Sequence, residues 1–155
     1  MRPSSRKNLA VTIFTIGFTK SSAEHFFSRL GRPGLARVVD VRLNNSSQLA
    51  GFAKKQDLAY FAKQICGMDY VHVLELAPTQ DILDEYKKKK GDWAVYERKF
   101  LDLMARRQVE KTVSKEVIEG GCLLCSEHKP HHCHRRLVAD YLKQHWGDIE
   151  VDHLM

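Results

Sequence analysis

The apolar residues of the chain fall into short runs, and two of these runs are rich in β-branched side chains. The runs at 9–16 and 35–41 predict strands that are buried on both faces. Shorter apolar or alternating runs at 70–76, 122–125 and 149–154 predict three further strands. The pattern therefore predicts short strands along the whole chain.

The segments between these strands show helical periodicity. Ser21 or Ser22 can cap a first helix. That helix places Phe26, Phe27 and Leu30 on one face. Strands that alternate with helices predict a single-domain, three-layer α/β fold with a mainly parallel, Rossmann-like sheet. Further helices are predicted at 57–66, at 81–90, from 92 to about 113 and from 133 to 145.

No repeat, linker or change of composition divides the 155 residues. We therefore predict one α/β domain over residues 9–155, preceded by a basic, polar tail over residues 1–8. No apolar run approaches the roughly 20 residues that span a bilayer, and the start of the chain does not resemble a signal peptide. These features predict a cytoplasmic protein without a membrane partner, and they leave its oligomeric state unknown.

The formal charge of +6 at pH 7 favours partners that carry phosphate. Part of this excess comes from local runs of basic residues such as Lys87–Lys90. Solvated side chains that only improve solubility are the simpler explanation for scattered lysines. The charge therefore suggests a nucleotide or a nucleic acid as a partner but does not identify a binding surface.

Three polar segments follow predicted strands, and a parallel sheet would gather them at one edge, where ligands bind. Thr15 offers a hydroxyl group there, and Gly17 lets backbone approach a ligand closely. Arg42 emerges at the same edge, and we predict that it binds an anion. Pairing with Asp40 is the alternative, although strand geometry makes it appear awkward. The three segments are Thr15–Thr19, Asp40–Arg42 and Ser126–Arg135.

The third segment carries most of the candidate chemistry. Cys133, His134 and Arg135 fall in the first turn of a predicted helix, where the dipole favours thiolates and anions. Cys125 ends the preceding strand, and Glu127 in the loop could act as a general base or hold Arg135 in place. We predict catalytic roles for Cys125, Glu127, Cys133 and His134, and anion binding by Thr15, Gly17, Arg42 and Arg135.

Two other interpretations of the cysteines stay open. Cys122-x-x-Cys125, followed by Cys133 and nearby histidines, superficially has the spacing of zinc ligands. A strand would turn Cys122 and Cys125 to opposite faces, however, and Cys122 is more typical of a buried core residue. A reversible disulfide between Cys125 and Cys133 is the second alternative. We predict no cofactor and no metal ligand, with zinc as the alternative.

Simpler structural roles can also explain several polar residues. A salt bridge between Glu127 and Arg135 would brace the loop without any catalysis. His131 and His132 are interpreted as exposed loop residues, and His72 as a structural histidine.

The segments Thr15–Gly17, Asp40–Arg42 and Leu124–Arg135 occur in this order, with a helix that carries Trp93 before the last of them. This set resembles the family catalogued as domain of unknown function 488, whose members are often small cytoplasmic bacterial proteins. The resemblance implies an α/β fold and names no reaction. The chain departs from the family pattern in two places, because Leu43–Gln48 replaces a proline and a Ser-Arg pair, and Leu76-Ala77-Pro78 replaces Leu-Gly.

These features favour an enzyme that acts on a phosphate-bearing substrate, either a nucleotide or a nucleic acid. Arg42 and Arg135 would hold the anion. Cys125 or Cys133 would be the nucleophile or proton donor, with Glu127 or His134 as the base. A non-catalytic module that binds a ligand or nucleic acid is one alternative, and a zinc or redox thiol protein is another.

Overall fold

The computed structural model of the chain describes residues 11–45, 51–127 and 132–155. Within these residues, a single parallel sheet forms with the strand order β3-β2-β4-β1-β5. This architecture confirms the α/β fold predicted from the alternation of strands and helices. The strands are β1 (Val11–Gly17), β2 (Arg37–Asp40), β3 (Asp69–His72), β4 (Gly121–Cys125) and β5 (Ile149–His153).

The helices lie in the connections between these strands, as the periodicity predicts. Ser22 caps the first helix through its side chain, which accepts a hydrogen bond from the His25 backbone N–H. The helices are α1 (Ala23–Arg29), α2 (Lys55–Cys66), α3 (Gln80–Lys87), α4 (Trp93–Arg107), α5 (Val109–Thr112), α6 (Lys115–Ile118) and α7 (His134–Trp146), with 3-10 turns at Gly51–Ala53 and Leu74–Leu76.

Helices cover both faces of the sheet, so the domain has three layers. On one face, α1 and α2 pack Phe26 and Leu58 against Cys122 and Leu124 of β4. The opposite face of β4 carries Leu123 and Cys125, against which the apolar stripes of α4 and α7 pack. Neighbouring residues of one strand thus enter separate cores, because side chains alternate along a strand. This confirms the prediction that Cys122 and Cys125 face opposite ways.

Three features of the strands and helices differ from those that the periodicity predicts. The strand predicted at 70–76 ends at His72, because the chain then enters the 3-10 turn at Leu74–Leu76, where the Leu76 N–H bonds to the Val73 carbonyl. The helix predicted from 92 to about 113 is divided at Gln108, whose φ of 52° is left-handed. The short helix α6 is additional.

Several predictions concern residues outside the described ranges. The basic tail at 1–8 lies there, as do most of the loop after Asn45 and the loop residues His128–His131. In the parts of the chain that the structure describes, no helix has both the length and the apolar character required to cross a membrane.

The connections that leave β2 and β4 set the position of the site. These two strands are hydrogen-bonded neighbours, with Asp40 opposite Leu124. The chain leaves β2 through α2 on one face of the sheet, and it leaves β4 through α7 on the other face. Parallel strands whose connections diverge in this way leave a crevice at their carboxyl ends, which is where α/β proteins bind ligands.

Candidate active site

A pocket of about 190 Å³ opens in the crevice between the ends of β2 and β4. The segment after β2 contributes Arg42, and the end of β4 contributes Cys125. The start of α7 adds Cys133 and His134, while α3 and α4 form the opposite wall. The pocket therefore gathers residues that lie far apart in the chain, as the edge of a parallel sheet predicts.

Cys125 and Cys133 lie side by side in this pocket. Their side chains are buried, at 2% and 3% exposure, and their sulfur atoms are joined in a disulfide. The Arg135 Nη1 lies 3.4 Å from the Cys125 sulfur and 3.7 Å from the Cys133 sulfur. When the bond is reduced, this neighbouring cation favours the thiolate form.

Arg135 is a fully buried brace for the site, although it does not line the pocket. Its Nη1 donates to the backbone carbonyl of Glu127 at 2.5 Å, and its Nε donates to the Thr15 hydroxyl at 3.3 Å. The Thr15 hydroxyl also bonds to the His153 Nδ1 at 2.6 Å. Burial lowers the pKa of Arg135 to about 10, so the guanidinium stays charged at neutral pH. Arg135 thus connects β1, the loop after β4 and the cysteine pair.

The Glu127 side chain lies at the mouth of the pocket, where its carboxylate pairs with Lys87 at 2.7 Å. The salt bridge between the Glu127 carboxylate and Arg135, considered as the structural alternative, does not form; the Arg135 contact is with the Glu127 backbone. Arg135 instead donates a hydrogen bond to the backbone carbonyl of Glu127, because the loop after β4 runs directly over β1. A β-carbon on Gly17 would lie 1.5 Å from that carbonyl oxygen. Gly17 therefore permits close packing of backbone against backbone, and its contribution to anion binding remains a prediction.

Arg42 pairs with Asp40, the arrangement that strand geometry made appear awkward. Its Nε and Nη2 donate to the two Asp40 carboxylate oxygens, each at 2.8 Å, and the pair is buried. The two residues can meet because they are two positions apart and share one side of the extended chain. Among the described residues, the buried Arg42 Nη1 has no hydrogen-bond partner. Anion binding by Arg42 remains a prediction, and this nitrogen is the donor still available for it.

The residues of β3 hold the Asp40–Arg42 pair in place. The Tyr70 hydroxyl donates to the Asp40 carboxylate. The His72 Nε2 donates to the Arg42 carbonyl at 2.7 Å, and its Nδ1 meets the Asn45 amide at 3.1 Å. Each nitrogen of the His72 ring thus has a partner within the fold. This geometry agrees with the structural role predicted for His72.

His134, the first residue of α7, bonds to the backbone just after β2 and lines the pocket as a neutral imidazole. Its Nε2 is 2.7 Å from the Val41 carbonyl, which can only accept, so that nitrogen carries the proton. Desolvation lowers the pKa of His134 to about 4. The other ring nitrogen, Nδ1, is left as a proton acceptor at neutral pH.

The wall opposite the cysteines is aromatic. His132, Trp93, Tyr96 and Phe100 form a continuous stack, with neighbouring ring centres 4.9, 5.0 and 6.1 Å apart. Tyr86 packs edge-on against Trp93 at 5.4 Å. His132 is exposed, as predicted, and it ends the stack at the pocket.

This wall is the part of the site that sequence reasoning missed. Trp93, Tyr96 and Phe100 form one apolar stripe of α4, a pattern typical of core packing. The signal that could have distinguished them is their concentration of aromatic rings beside the Lys87–Lys90 run. Cys122, by contrast, is fully buried on the other face of β4, where desolvation raises the pKa of its thiol.

The sequence model of one protein family, described as a domain of unknown function (DUF488), matches residues 22–142. The chain belongs to this family. The DUF488 match covers Arg42, the aromatic wall and the whole Cys125–Arg135 segment, while Thr15 and Gly17 lie outside it. Membership supplies no reaction, because the function of the family is not known. Comparison with curated proteins and with solved structures gave no match.

Proposed function

We propose that this DUF488 protein is an enzyme that binds a nucleotide, free or at the end of a nucleic acid, and reacts with it through Cys125. The observation that carries the proposal is the pocket, a cavity of about 190 Å³ that is lined both by aromatic rings and by the Cys125–Cys133 pair. A nucleotide has a planar base for the aromatic wall and a phosphate for the donors around Arg42.

The aromatic wall supports recognition of the base. His132 is the exposed end of a stack that continues through Trp93 and Tyr96 into the core. A base that stacks on His132 would extend this column of rings without rearranging it. Stacking of one base on an aromatic side chain contributes about 1–3 kcal/mol and tolerates different bases.

Two groups support recognition of the phosphate. The buried Arg42 Nη1 lacks a partner within the described residues. The second is the amino terminus of α7, a helix of 13 residues, where the side chain of the cap residue Cys133 accepts no hydrogen bond from the helix amides. Arg42 and His134, the first residue of α7, both line the pocket, and helix amino termini favour anions.

The reactive groups support nucleophilic catalysis. The neutral His134 can take the thiol proton on Nδ1, and the Arg135 cation stabilises the resulting thiolate. The Cys125 sulfur then forms a bond to the electrophilic atom of the substrate. The leaving group departs with the electron pair of the broken bond and receives the proton from His134. Water resolves the covalent adduct. This chemistry requires reduced cysteines, so we place the protein in the cytoplasm.

The experiment separates binding from turnover. In a Trp146→Phe background, Trp93 is the one remaining tryptophan, and its fluorescence reports on ring stacking. We expect nucleotides to quench it in the reduced protein. Cys125→Ser is expected to keep this quenching and to lose turnover of the same nucleotides, by about 1000-fold or more. Cys133→Ser in reductant is the matched control and is expected to retain activity.

Two results would count against the proposal. Absence of nucleotide binding by the reduced protein would show that the substrate is not a nucleotide. Full turnover by the Cys125→Ser variant would show that Cys125 is not the nucleophile.

A non-catalytic nucleic-acid-binding module is the second candidate. The exposed lysines of the 87–90 run begin at the pocket mouth with Lys87. Replacing Lys88, Lys89 and Lys90 with glutamine is expected to weaken nucleic-acid binding and flatten its salt dependence. Binding of this kind without chemical change in any nucleotide would favour the module over the enzyme.

A further inference from the structure

We infer that the reduced protein contains a zinc site formed by Cys125, Cys133 and His134. One ligand atom from each residue, the two sulfurs and a ring nitrogen, lie within 4.8 Å of one another. Two thiolates and one imidazole are a ligand set of catalytic zinc sites, which keep a fourth position open. The site differs from the spacing considered in the sequence because Cys122 is on the other face of β4.

The surroundings of His134 match those of a metal ligand. Metal-binding histidines donate their second ring N–H to a fixed acceptor, which sets the orientation of the ring. The Nε2 of His134 donates to the Val41 carbonyl at 2.7 Å, and Val41 is fully buried at the end of β2. Nδ1 is therefore the nitrogen that coordinates the ion.

The two sulfurs also have an outer partner. The Arg135 Nη1 lies within 3.7 Å of both, and N–H donors of this kind stabilise coordinated thiolates. Thiolate ligands select soft ions such as Zn²⁺ over Mg²⁺ and Ca²⁺. All three ligand residues line the pocket, so the fourth coordination position faces it. A water molecule or a substrate atom would occupy that position.

Reduction is the step that creates the site. A dithiol reductant gives two electrons and two protons to the Cys125–Cys133 disulfide and itself becomes a disulfide. The two thiols formed then release two protons as Zn²⁺ binds. The oxidised form cannot coordinate the ion through both sulfurs. The zinc site rests on the same reduced pair as the proposed function, but it needs no substrate. Zinc occupies the Cys125 sulfur and the His134 Nδ1, so the proposed nucleophilic reaction belongs to the metal-free reduced protein.

Metal analysis tests the site directly. Protein reduced with a dithiol is incubated with Zn²⁺ and Mg²⁺, desalted and analysed for both metals. We expect about one zinc ion and no magnesium per chain, and loss of zinc in Cys125→Ser, Cys133→Ser and His134→Gln. Cys66→Ser is the matched control, because Cys66 is a free thiol outside the pocket. Thermal unfolding shows whether each variant is folded.

Absorption by bound cobalt(II) is a second measurement, and it is made on the wild-type protein, so misfolding of a variant cannot explain its result. In the reduced wild type it is expected to produce thiolate-to-cobalt absorption, and oxidation of the cysteines is expected to abolish it. Absence of zinc from the reduced wild type, or its retention in both single cysteine variants, would overturn the site. Protein that holds zinc but binds no nucleotide would contradict the proposed function and support the metal site. Reduced wild-type protein that turns over nucleotides yet holds no zinc would overturn the metal site and support the proposed function.

Discussion

The backbone carbonyl of Glu127 occupies the space that a β-carbon on Gly17 would need. The distance from that β-carbon to the carbonyl oxygen would be 1.5 Å, and the distance to the Arg135 Nη1 would be 2.7 Å. The end of β1 and the loop after β4 are therefore packed backbone to backbone directly behind the cysteine pair.

Gly17→Ala is expected to destabilise the protein, because neither the backbone of the loop nor the buried guanidinium can move aside cheaply. The free energy of unfolding should fall by about 3 kcal/mol or more, as in severe overpacking. Urea unfolding measures this change. Gly51→Ala is the control, since no atom lies within 4 Å of its added β-carbon. Equal stability of the two variants would contradict the close packing.

Asp40→Asn is expected to be costly because it leaves the buried Arg42 without its anionic partner. Removing one member of a buried ion pair costs about 3–5 kcal/mol. The control is Asp69→Asn, whose partner Lys63 forms an exposed pair. Exposed pairs contribute at most about 1 kcal/mol, so this variant should remain close to the wild type in urea unfolding. Similar losses in both variants would show that burial of Asp40 is not the cause.

Thiol counting is expected to follow the positions of the cysteines. The oxidised protein, unfolded without reductant, should expose two reactive thiols, those of Cys66 and Cys122. After reduction all four cysteines should be alkylated. In the native state Cys66 should react first, because Cys122 is fully buried and burial raises the pKa of its thiol. Mass spectrometry of the alkylated protein distinguishes these cases, and rapid native labelling of Cys122 would contradict the burial.

His134 is expected to make the stability of the chelator-treated protein depend on pH. Its pKa is lowered from 6.5 to about 4 in the folded state, so the unfolded state binds the proton more readily. The free energy of unfolding should therefore be unaffected by this group above about pH 6.5 and should fall as the pH drops towards 4. Thermal unfolding across this range is expected to show a flatter profile for His134→Gln. His25→Gln, at an exposed position, should keep the wild-type slope.

The architecture could be predicted because strand burial and helix periodicity are local patterns. The two long apolar runs became β1 and β2, and the carboxyl ends of the strands brought Arg42 and Cys125 to one pocket. This follows from parallel topology alone, whatever the individual side chains do. The division of the helix at Gln108 is different, because a left-handed residue that is not glycine has no reliable sequence signal.

The partners within the site could not be predicted in the same way. Arg135 donates a hydrogen bond to the backbone carbonyl of Glu127, and the Glu127 carboxylate pairs with Lys87. These partners are determined by where the loop crosses β1. The aromatic wall was missed because a stripe of rings on α4 has the same spacing whether it faces a core or a cavity. Such assignments depend on long-range packing, which a single sequence does not reveal.

The cysteines and the aromatic wall of the pocket come from separate stretches of the chain. The reactive side chains stand at the end of β4 and the start of α7, whereas Tyr86, Trp93 and Tyr96 belong to the α3–α4 connection between β3 and β4. A substitution in that connection changes the wall of the pocket without changing the strand and the helix that carry the cysteines. The fold can therefore adapt to a differently shaped partner molecule while the residues of the proposed reaction stay unchanged.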